Sequence, residues 1–214
     1  AFTPVAAALP VNGLRYKYYE GTFDILPDFA TLSPVKTGNS ANVDIGTRPE
    51  GVNDHFAFTW EGYINMPAAG TYTFETESDD GSKVYLSTPY SVNGSSLVNN
   101  DGMHAPLLAS GNITVTSAGL YPITITFFEN DGGETMKLYW TGPGISRQPI
   151  PDASFTANNV YTLTNATVAT RQKGNVTIET VPGKTGSSKL YPNPFVESFM
   201  IEYYHPGTDN NRVG

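Results

Sequence analysis

The chain lacks cysteine and is poor in charge, and both absences exclude classes of function. None of its 214 residues is Cys, so a disulfide framework, a thiolate metal site and a cysteine nucleophile are all ruled out. Charged residues make up 15% of the sequence, with 12 Lys and Arg against 20 Asp and Glu. Such a balance argues against binding to nucleic acid phosphates and to anionic membrane surfaces. No apolar run approaches the ~20 residues that span a bilayer, so membrane insertion is not expected.

The residues that are abundant favour β-structure. There are 13 Tyr, 11 Phe, 21 Gly and 16 Pro, and no stretch carries a convincing helical period. Apolar and polar residues alternate in several segments, which is typical of strands with one buried face. The apolar members of three such strands are Tyr72 and Phe74, then Ile123, Ile125 and Phe127, then Met136, Leu138 and Trp140. Turn signals such as Asp80-Gly81 and Gly132-Gly133 separate the segments. The pattern predicts an all-β chain folded as an antiparallel β-sandwich.

The composition and the residue alternation change along the chain, and we predict four regions. Residues 1–11 read as an N-terminal linker or edge strand, and residues 12–152 as the β-sandwich domain. Residues 153–188 read as a linker, and residues 189–214 as the start of a further β segment. The region from Ala1 onward lacks the charged first part of a signal peptide, so we expect a mature fragment whose targeting signal has been removed.

A series of motifs in the predicted domain resembles a known family. In chain order they are Tyr18-Tyr19-Glu20-Gly21, Phe58-Thr59-Trp60-Glu61-Gly62-Tyr63, Ser78-Asp79-Asp80-Gly81-Ser82, Asn100-Asp101-Gly102-Met103-His104, Phe128-Glu129-Asn130-Asp131-Gly132-Gly133 and Leu138-Tyr139-Trp140-Thr141-Gly142. This order resembles the domain first defined in anthrax protective antigen, the PA-fourteen domain. The resemblance covers roughly residues 12–152 and implies a β-sandwich of the kind found in adhesins, glycosidases and toxins.

The resemblance also implies a calcium site. In the carbohydrate-binding members, two consecutive aspartates joined by a cis peptide hold calcium together with an asparagine and two backbone carbonyls. The ion then accepts adjacent hydroxyls of a sugar. The matching metal ligands here are Asp79, Asp80 and Asn130, with carbonyls from Gly132 and Glu134.

The loop tip is the second part of this prediction. Asp131 and Gly133 lie at the tip of the Asn130 loop, where a sugar could touch them, and Asp79 and Asp80 would contact the sugar through the ion.

The chemistry of these residues suits calcium, and an ordinary loop is the alternative. Calcium takes six to eight oxygen ligands at about 2.3–2.6 Å and tolerates irregular geometry. Glycines beside the ligands, such as Gly81, let the backbone come close enough for carbonyl ligation. However, Asp80-Gly81 is also a strong turn signal, so residues 79–82 could form a simple hairpin turn. The segment 129–133 could likewise be a polar loop between strands.

Other residue types that often carry chemistry do not form a convincing set. Trp60 and Trp140 could stack on a sugar, but their alternating strands favour core packing. His104, like the other histidines, has no partner at metal-ligand spacing. Glu20 and Glu61 could be imagined as a glycosidase pair, but the resemblance places both on structural strands. We therefore expect no catalytic activity.

A second resemblance lies near the C-terminus. Leu190-Tyr191-Pro192-Asn193-Pro194-Phe195 is followed by an alternating run from Phe199 to Tyr204. These motifs look like the start of the C-terminal sorting domain of type IX secretion substrates, truncated here. An ordinary strand-entry turn is the alternative, since two prolines around an asparagine also form one. The resemblance implies export across a bacterial outer membrane, to the medium or the cell surface.

Two functions from different classes remain. The first is a calcium-dependent, lectin-like module of a secreted or cell-surface bacterial adhesin or polysaccharide-processing protein, acting as a monomer on glycans or polysaccharides. The second is a structural or protein-interaction β-sandwich without sugar binding.

Overall fold

The computed structural model describes residues 12–157, 167–172, 175–180, 188–192 and 199–203. The predicted linker at 1–11 therefore lies outside the described residues. Residues 12–157 form eleven strands: β1 (Leu14–Glu20), β2 (Lys36–Ser40), β3 (Phe56–Met66), β4 (Gly70–Asp79), β5 (Ser82–Leu86), β6 (Val98–Asn100), β7 (Leu107–Val115), β8 (Gly119–Glu129), β9 (Thr135–Gly142), β10 (Ile145–Pro149) and β11 (Phe155–Thr156). Single 3-10 turns lie at Phe29–Thr31, Ile45–Thr47 and Asp152–Ser154.

These strands form two antiparallel sheets. One sheet has seven strands in the order β2-β1-β3-β8-β5-β6, with β11 also paired to β3. The other has four strands in the order β10-β9-β4-β7. The predicted all-β, antiparallel β-sandwich is thus confirmed. Within the described residues, no helix is long and apolar enough to cross a membrane.

The chain divides into two units, Ala1–Asn158 and Asn159–Gly214. Among the described residues of the second unit are two antiparallel strand pairs: β12 (Thr167–Gln172) with β13 (Asn175–Thr180), and β14 (Ser188–Pro192) with β15 (Phe199–Tyr203). The sorting motif at 190–195 lies partly outside the described residues, and its role stays a prediction.

Aromatic side chains from both sheets fill the space between them. Trp60 of β3 is fully buried and stacks on Phe58, with ring centroids 4.8 Å apart. From the facing sheet, Trp140 packs against Tyr72 and Phe74, at centroid distances of 6.0 and 6.5 Å. Both tryptophans belong to the core, as their alternating strands predicted, and they supply much of its apolar area.

A smaller apolar cluster covers the outer face of the seven-stranded sheet. It consists of Tyr19, Leu26, Phe29, Ala57 and Phe128. This cluster holds the loop between β1 and β2 against the sheet. The backbone N–H of Leu26 then donates to Asp101 Oδ1 at 2.7 Å, so the same loop is tied to the segment that follows β6.

The inward rows of the two sheets end in acidic residues at one end of the sandwich. In β4, buried positions alternate from Tyr72 to Ser78, and the next inward position is Asp80. In β8 the inward row that contains Ile125 and Phe127 ends at Glu129. Because β4 and β8 belong to facing sheets, this alternation brings Asp80 and Glu129 to the same edge of the core.

The opposite end of the sandwich contains the start of β1 and the last strand of this unit, β11. Gly13 N donates to Phe155 O at 3.1 Å, and Asn12 forms an isolated bridge with Thr156. Both contacts lie beside Gly62 of β3, where a Cβ would come within 2.9 Å of Thr156 O. A glycine is therefore needed at position 62 for the two strands to approach β3 so closely.

Candidate metal and ligand site

Asp80 lies at the centre of the candidate site and is held from two loops. The peptide bond between Asp79 and Asp80 is cis, the conformation that the family resemblance implied. Asp80 is buried, and its Oδ1 accepts from His104 N at 2.8 Å. Its Oδ2 accepts from Asn130 N at 3.0 Å. The carboxylate therefore joins the loop that follows β6 to the loop that follows β8.

Gly81 allows the aspartate loop to pack this tightly. A Cβ at position 81 would lie 2.5 Å from the ring of Phe128 and 2.9 Å from Gly102 N. No larger residue fits without moving the backbone.

Glu129 adds a third carboxylate beside the two aspartates. Its exposed fraction is 0%. Oε2 accepts from Asp80 N at 3.1 Å, whereas Oε1 is buried without a hydrogen-bond partner. Carboxylate oxygens of Asp79, Asp80 and Glu129 all lie within 4.8 Å of one another. Three carboxylates thus converge on one small volume at the end of the core.

This convergence changes the acidity of the carboxyl groups. Burial, followed by the charges of Asp80 and Asp79, raises the pKa of Glu129 to about 8. The pKa of Asp79 is also raised, first by burial and then by the charge of Asp80. Both shifts show that the surrounding protein disfavours the ionised forms, which a bound cation would favour.

Asn130, whose backbone N–H bonds to Asp80, offers a further buried oxygen. The residue is 9% exposed, and its Oδ1 is buried without a hydrogen-bond partner. Its Nδ2 lies 3.2 Å from Met103 Sδ. Met103 itself is 56% exposed, so an apolar side chain stands at the rim, directly beside this amide.

The donor set fits the calcium ion that the resemblance implies. Every candidate ligand offers oxygen, which calcium prefers, and neither Cys nor His lies in the described acidic cluster. At this site two buried oxygens, Glu129 Oε1 and Asn130 Oδ1, lack a hydrogen-bond partner, and an ion would satisfy them. Asp79, Asp80, Glu129 and Asn130 are therefore the side chains that could hold it.

The tip of the loop that follows β8 lies close to this cluster. Gly133 is close to the aspartate pair, since a Cβ there would lie 3.7 Å from Asp79 Oδ2. The side chain of Glu134 forms an ion pair with Arg48, and that of Asp131 is 75% exposed. Gly132 N donates to Asp54 Oδ1 at 3.1 Å. The loop is thus near the ion volume, and ligation by the Gly132 and Glu134 carbonyls remains a prediction.

Two residues of the site were missed in the sequence. Glu129 lies two positions after Phe127 on a strand whose residues alternate between the two faces of the sheet, so this alternation predicts that the Glu129 carboxylate faces the core. That signal could have found it. His104 has no such signal, because its contribution is the backbone N–H that donates to Asp80.

The rejected pair of glutamates lies elsewhere. Glu20 accepts from Tyr18 Oη at 3.1 Å, and Glu61 forms an ion pair with Lys17 at 3.2 Å. Each is thus engaged by a neighbour on the strands, as the structural interpretation predicted.

Known structures share this fold. An anti-sigma factor domain-containing protein from Clostridium clariflavum is similar, with 18% identity and a TM-score of 0.53 over 74% of this chain and 52% of that one. This chain therefore spans about half the length of the clostridial protein. A PA14 sugar-binding domain from an RTX adhesin is similar as well, with 18% identity and a TM-score of 0.54 over 69% of this chain and 99% of that one.

A fungal adhesin gives a third likeness. The epithelial adhesin 6 A domain of Candida glabrata, solved in complex with Galβ1-3GlcNAc, has 17% identity and a TM-score of 0.50 over 71% of this chain and 89% of that one. At such identities the likenesses show the fold alone.

Sequence-level comparison gives the family. No curated protein sequence matches the chain. Residues 10–154, which include strands β1 to β10 of the sandwich, match the model of the PA14 domain. Because this match covers more than half of the sequence, the chain belongs to the PA14 domain family.

Proposed function

We propose that this protein is a calcium-dependent carbohydrate-binding module without catalytic activity. The observation that carries the proposal is the buried cluster of Asp79, Asp80 and Glu129, whose carboxylate oxygens lie within 4.8 Å of one another. No Lys or Arg forms a described ion pair with these three groups. Like charges at such distances are costly in a protein interior unless a cation compensates them.

Two groups of residues would have different roles in calcium binding: some would bind the ion and others would orient its ligands. Asp79, Asp80, Glu129 and Asn130 would hold calcium by their side-chain oxygens, and the N–H groups of His104 and Asn130 fix the orientation of the Asp80 carboxylate. When bound, the ion would supply the positive charge that attracts vicinal sugar hydroxyls. Outer contacts of this kind orient ligands and tune the affinity of metal sites.

The rim supports a sugar as the partner. Met103 presents an exposed thioether beside Asn130, and a pyranose ring carries an apolar C–H face next to its hydroxyls. Asp131, exposed at the loop tip, and Gly133 offer polar contacts on the other side. One structural neighbour that is named a sugar-binding domain and another that was solved with Galβ1-3GlcNAc support this choice at the level of the fold.

The wider setting follows from the same proposal. Few contacts are available to a single sugar, so the affinity for a monosaccharide is expected to be weak, roughly millimolar. Repeated display on a secreted or cell-surface adhesin or polysaccharide-processing protein would compensate by multivalency. The type IX sorting resemblance near residues 190–195 supports such a location.

A structural module is the second candidate. The Asp80 carboxylate already joins two loops through N–H bonds from His104 and Asn130. An ion at this position could therefore serve only to stiffen the loops. This candidate predicts a calcium response without any response to sugar.

Thermal unfolding of the full 214-residue chain tests the proposal. We expect the midpoint to rise when chelator is replaced by calcium, because an ion that binds only the folded state stabilises it. A panel of monosaccharides with different vicinal diols should raise it further for particular sugars. The Asp80→Ala variant should lose both responses.

Glu61→Gln is the matched control, since Glu61 is a carboxylate on β3 outside the cluster. It should keep both responses. A calcium response without any sugar response would favour the structural module, and no calcium response in the unmodified protein would refute the proposal.

A further inference from the structure

A segment that precedes β3 contacts the tip of the loop that follows β8. We name residues 48–55 the brace segment and residues 131–134 the loop tip. Three contacts join them: the hydrogen bond from Gly132 N to Asp54 Oδ1 at 3.1 Å, the ion pair of Arg48 with Glu134, and the approach of His55 Nε2 to Asp131 Oδ1 at 3.6 Å. Three of the four tip residues are therefore held from the same side.

Arg48 is itself fixed in place by its own surroundings. Its Nε donates to Val52 O at 2.6 Å, and its Nη1 donates to Ile45 O at 3.0 Å. Its guanidinium lies over the ring of Phe56, 5.3 Å from the centroid. The side chain is only 16% exposed. A planar, multiply bonded guanidinium of this kind presents its remaining N–H groups in one direction, here toward Glu134.

The base of the same loop is held from two sides. Glu129 and Asn130 bond directly to Asp80, and Asn130 O also accepts from the backbone N–H of His55 in the brace segment at 3.0 Å. The described polar contacts of the loop tip come from the brace segment. The position of the tip above the cluster, and with it the position of the Gly132 and Glu134 carbonyls, depends on residues far away in sequence.

We propose that the brace segment sets the calcium affinity of the site, with Arg48 and Asp54 as its positioning residues. This inference rests on the proposed calcium function and adds residues that touch neither the ion nor the sugar. Removing such outer partners of a metal site typically lowers metal affinity by about 10- to 100-fold.

The sign of the effect separates positioning from simple charge. Arg48 is a cation near a site for a cation, so its charge alone opposes calcium binding. If charge were its whole role, replacing it by a neutral residue would strengthen binding. Positioning predicts the opposite, because a loosened tip presents its carbonyls less well.

Two substitutions of Asp54 isolate one hydrogen bond. Asp54→Asn removes the charge but keeps an oxygen that can accept from Gly132 N, whereas Asp54→Ala removes both. We expect Asp54→Ala to bind calcium about tenfold more weakly than Asp54→Asn, as measured by isothermal titration of the full chain. Equal affinities of the two variants would overturn the proposal. Because Asp54 is exposed, both variants are expected to fold.

Two substitutions of Arg48 test the other contact. Arg48→Met keeps an apolar chain over Phe56, and Arg48→Lys keeps the charge but loses the forked geometry. Both should lower calcium affinity, while Lys17→Met, which removes the cation of an ion pair on the β1–β3 surface, should leave it unchanged. Tighter binding by Arg48→Met than by the unmodified protein would overturn the positioning role.

Hydrogen exchange in chelator provides a readout without calcium. The Gly132 amide should exchange faster in Asp54→Ala than in Asp54→Asn, since only the former loses the acceptor. Equal exchange rates would show that the brace segment does not hold the tip. If instead the unmodified protein fails to bind calcium while the exchange rates differ, the proposed function fails and the brace contacts stand.

Discussion

The sandwich core and the acidic cluster are both buried, but they differ in what holds them together. Around Trp60 and Phe58 most of the buried surface is apolar, although the indole Nε1 of Trp60 is buried without a hydrogen-bond partner, and removal of the apolar surface from water stabilises the fold. At the end of the same sheets, Asp80 and Glu129 bury carboxyl groups among like charges. Two oxygens there, on Glu129 and Asn130, lack partners among the described residues.

The difference teaches which part of the molecule is built for stability and which for binding. The core is stabilised by the burial of its own aromatic rings, even though a few of its polar atoms lack partners. The acidic cluster differs because its unpartnered atoms are oxygens beside three carboxyl groups, which a cation can bind. A region that weakens the isolated fold and suits a cation is where function is expected.

The largest effect should come from the core. Trp60→Ala removes the fully buried indole that stacks on Phe58 and should lower the free energy of unfolding by about 3–5 kcal/mol. Because the indole lies away from the cluster, denaturant unfolding should give the same loss in calcium and in chelator. A loss that depends on calcium would break the separation of core and site.

The next effect is a pH dependence that arises from the cluster. Burial in the folded state raises the pKa of Glu129 from its ordinary value near 4.5 to about 8. The folded state therefore keeps a proton that the unfolded state releases, and stability should fall as pH rises from about 4.5 to about 8. Asp79, whose pKa is also raised, contributes with the same sign.

Denaturant unfolding at several pH values would measure this fall. In saturating calcium it should shrink or vanish, because the ion competes with the protons and its affinity rises with pH. Glu129→Gln should reduce the fall in chelator. Stability in chelator that rises from pH 5 to pH 8 would contradict the assignment of a neutral, buried Glu129.

The smallest effect should change its sign with calcium. Asp79→Asn removes one of three neighbouring charges, so in chelator at neutral pH it should raise the thermal midpoint by about 2–4 °C. In calcium the same variant should unfold below the unmodified protein, because a ligand is lost. A lower midpoint in both conditions would mean that the carboxylate stabilises the loop without any ion.

Much of the fold was predictable from residue alternation. The rows through Tyr72 and Phe74 and through Ile125 and Phe127 identify strands and their buried faces, since side chains alternate along a strand. The order of the strands in the two sheets was not predictable. It depends on long-range pairings such as that of β3 with β8, for which no local pattern exists.

The candidate site was predictable in part for the same reason. Asp79, Asp80 and Asn130 lie within motifs, and Glu129 continues a strand period. Arg48 and Asp54 lie in a segment without a regular pattern, more than 70 residues before the loop tip that they contact. Only the folded chain brings them together, so their contribution could not be read from spacing.

The junction beside Gly62 has a topological consequence. β1 and β11 both run antiparallel to β3 and pair with consecutive stretches of it, Glu61 to Phe56 and Ile64 to Tyr63. The end of β11 therefore lies next to the start of β1 along β3, so the two ends of the sandwich domain are adjacent. Because its ends are adjacent, the domain can be circularly permuted, with new ends at an exposed turn such as 91–95. It can also be inserted into a loop of a host protein, with both connections at one place. These adjacent ends lie at the end of β3 remote from Phe56 and its partner Glu129, so the chain enters and leaves the domain away from the acidic cluster.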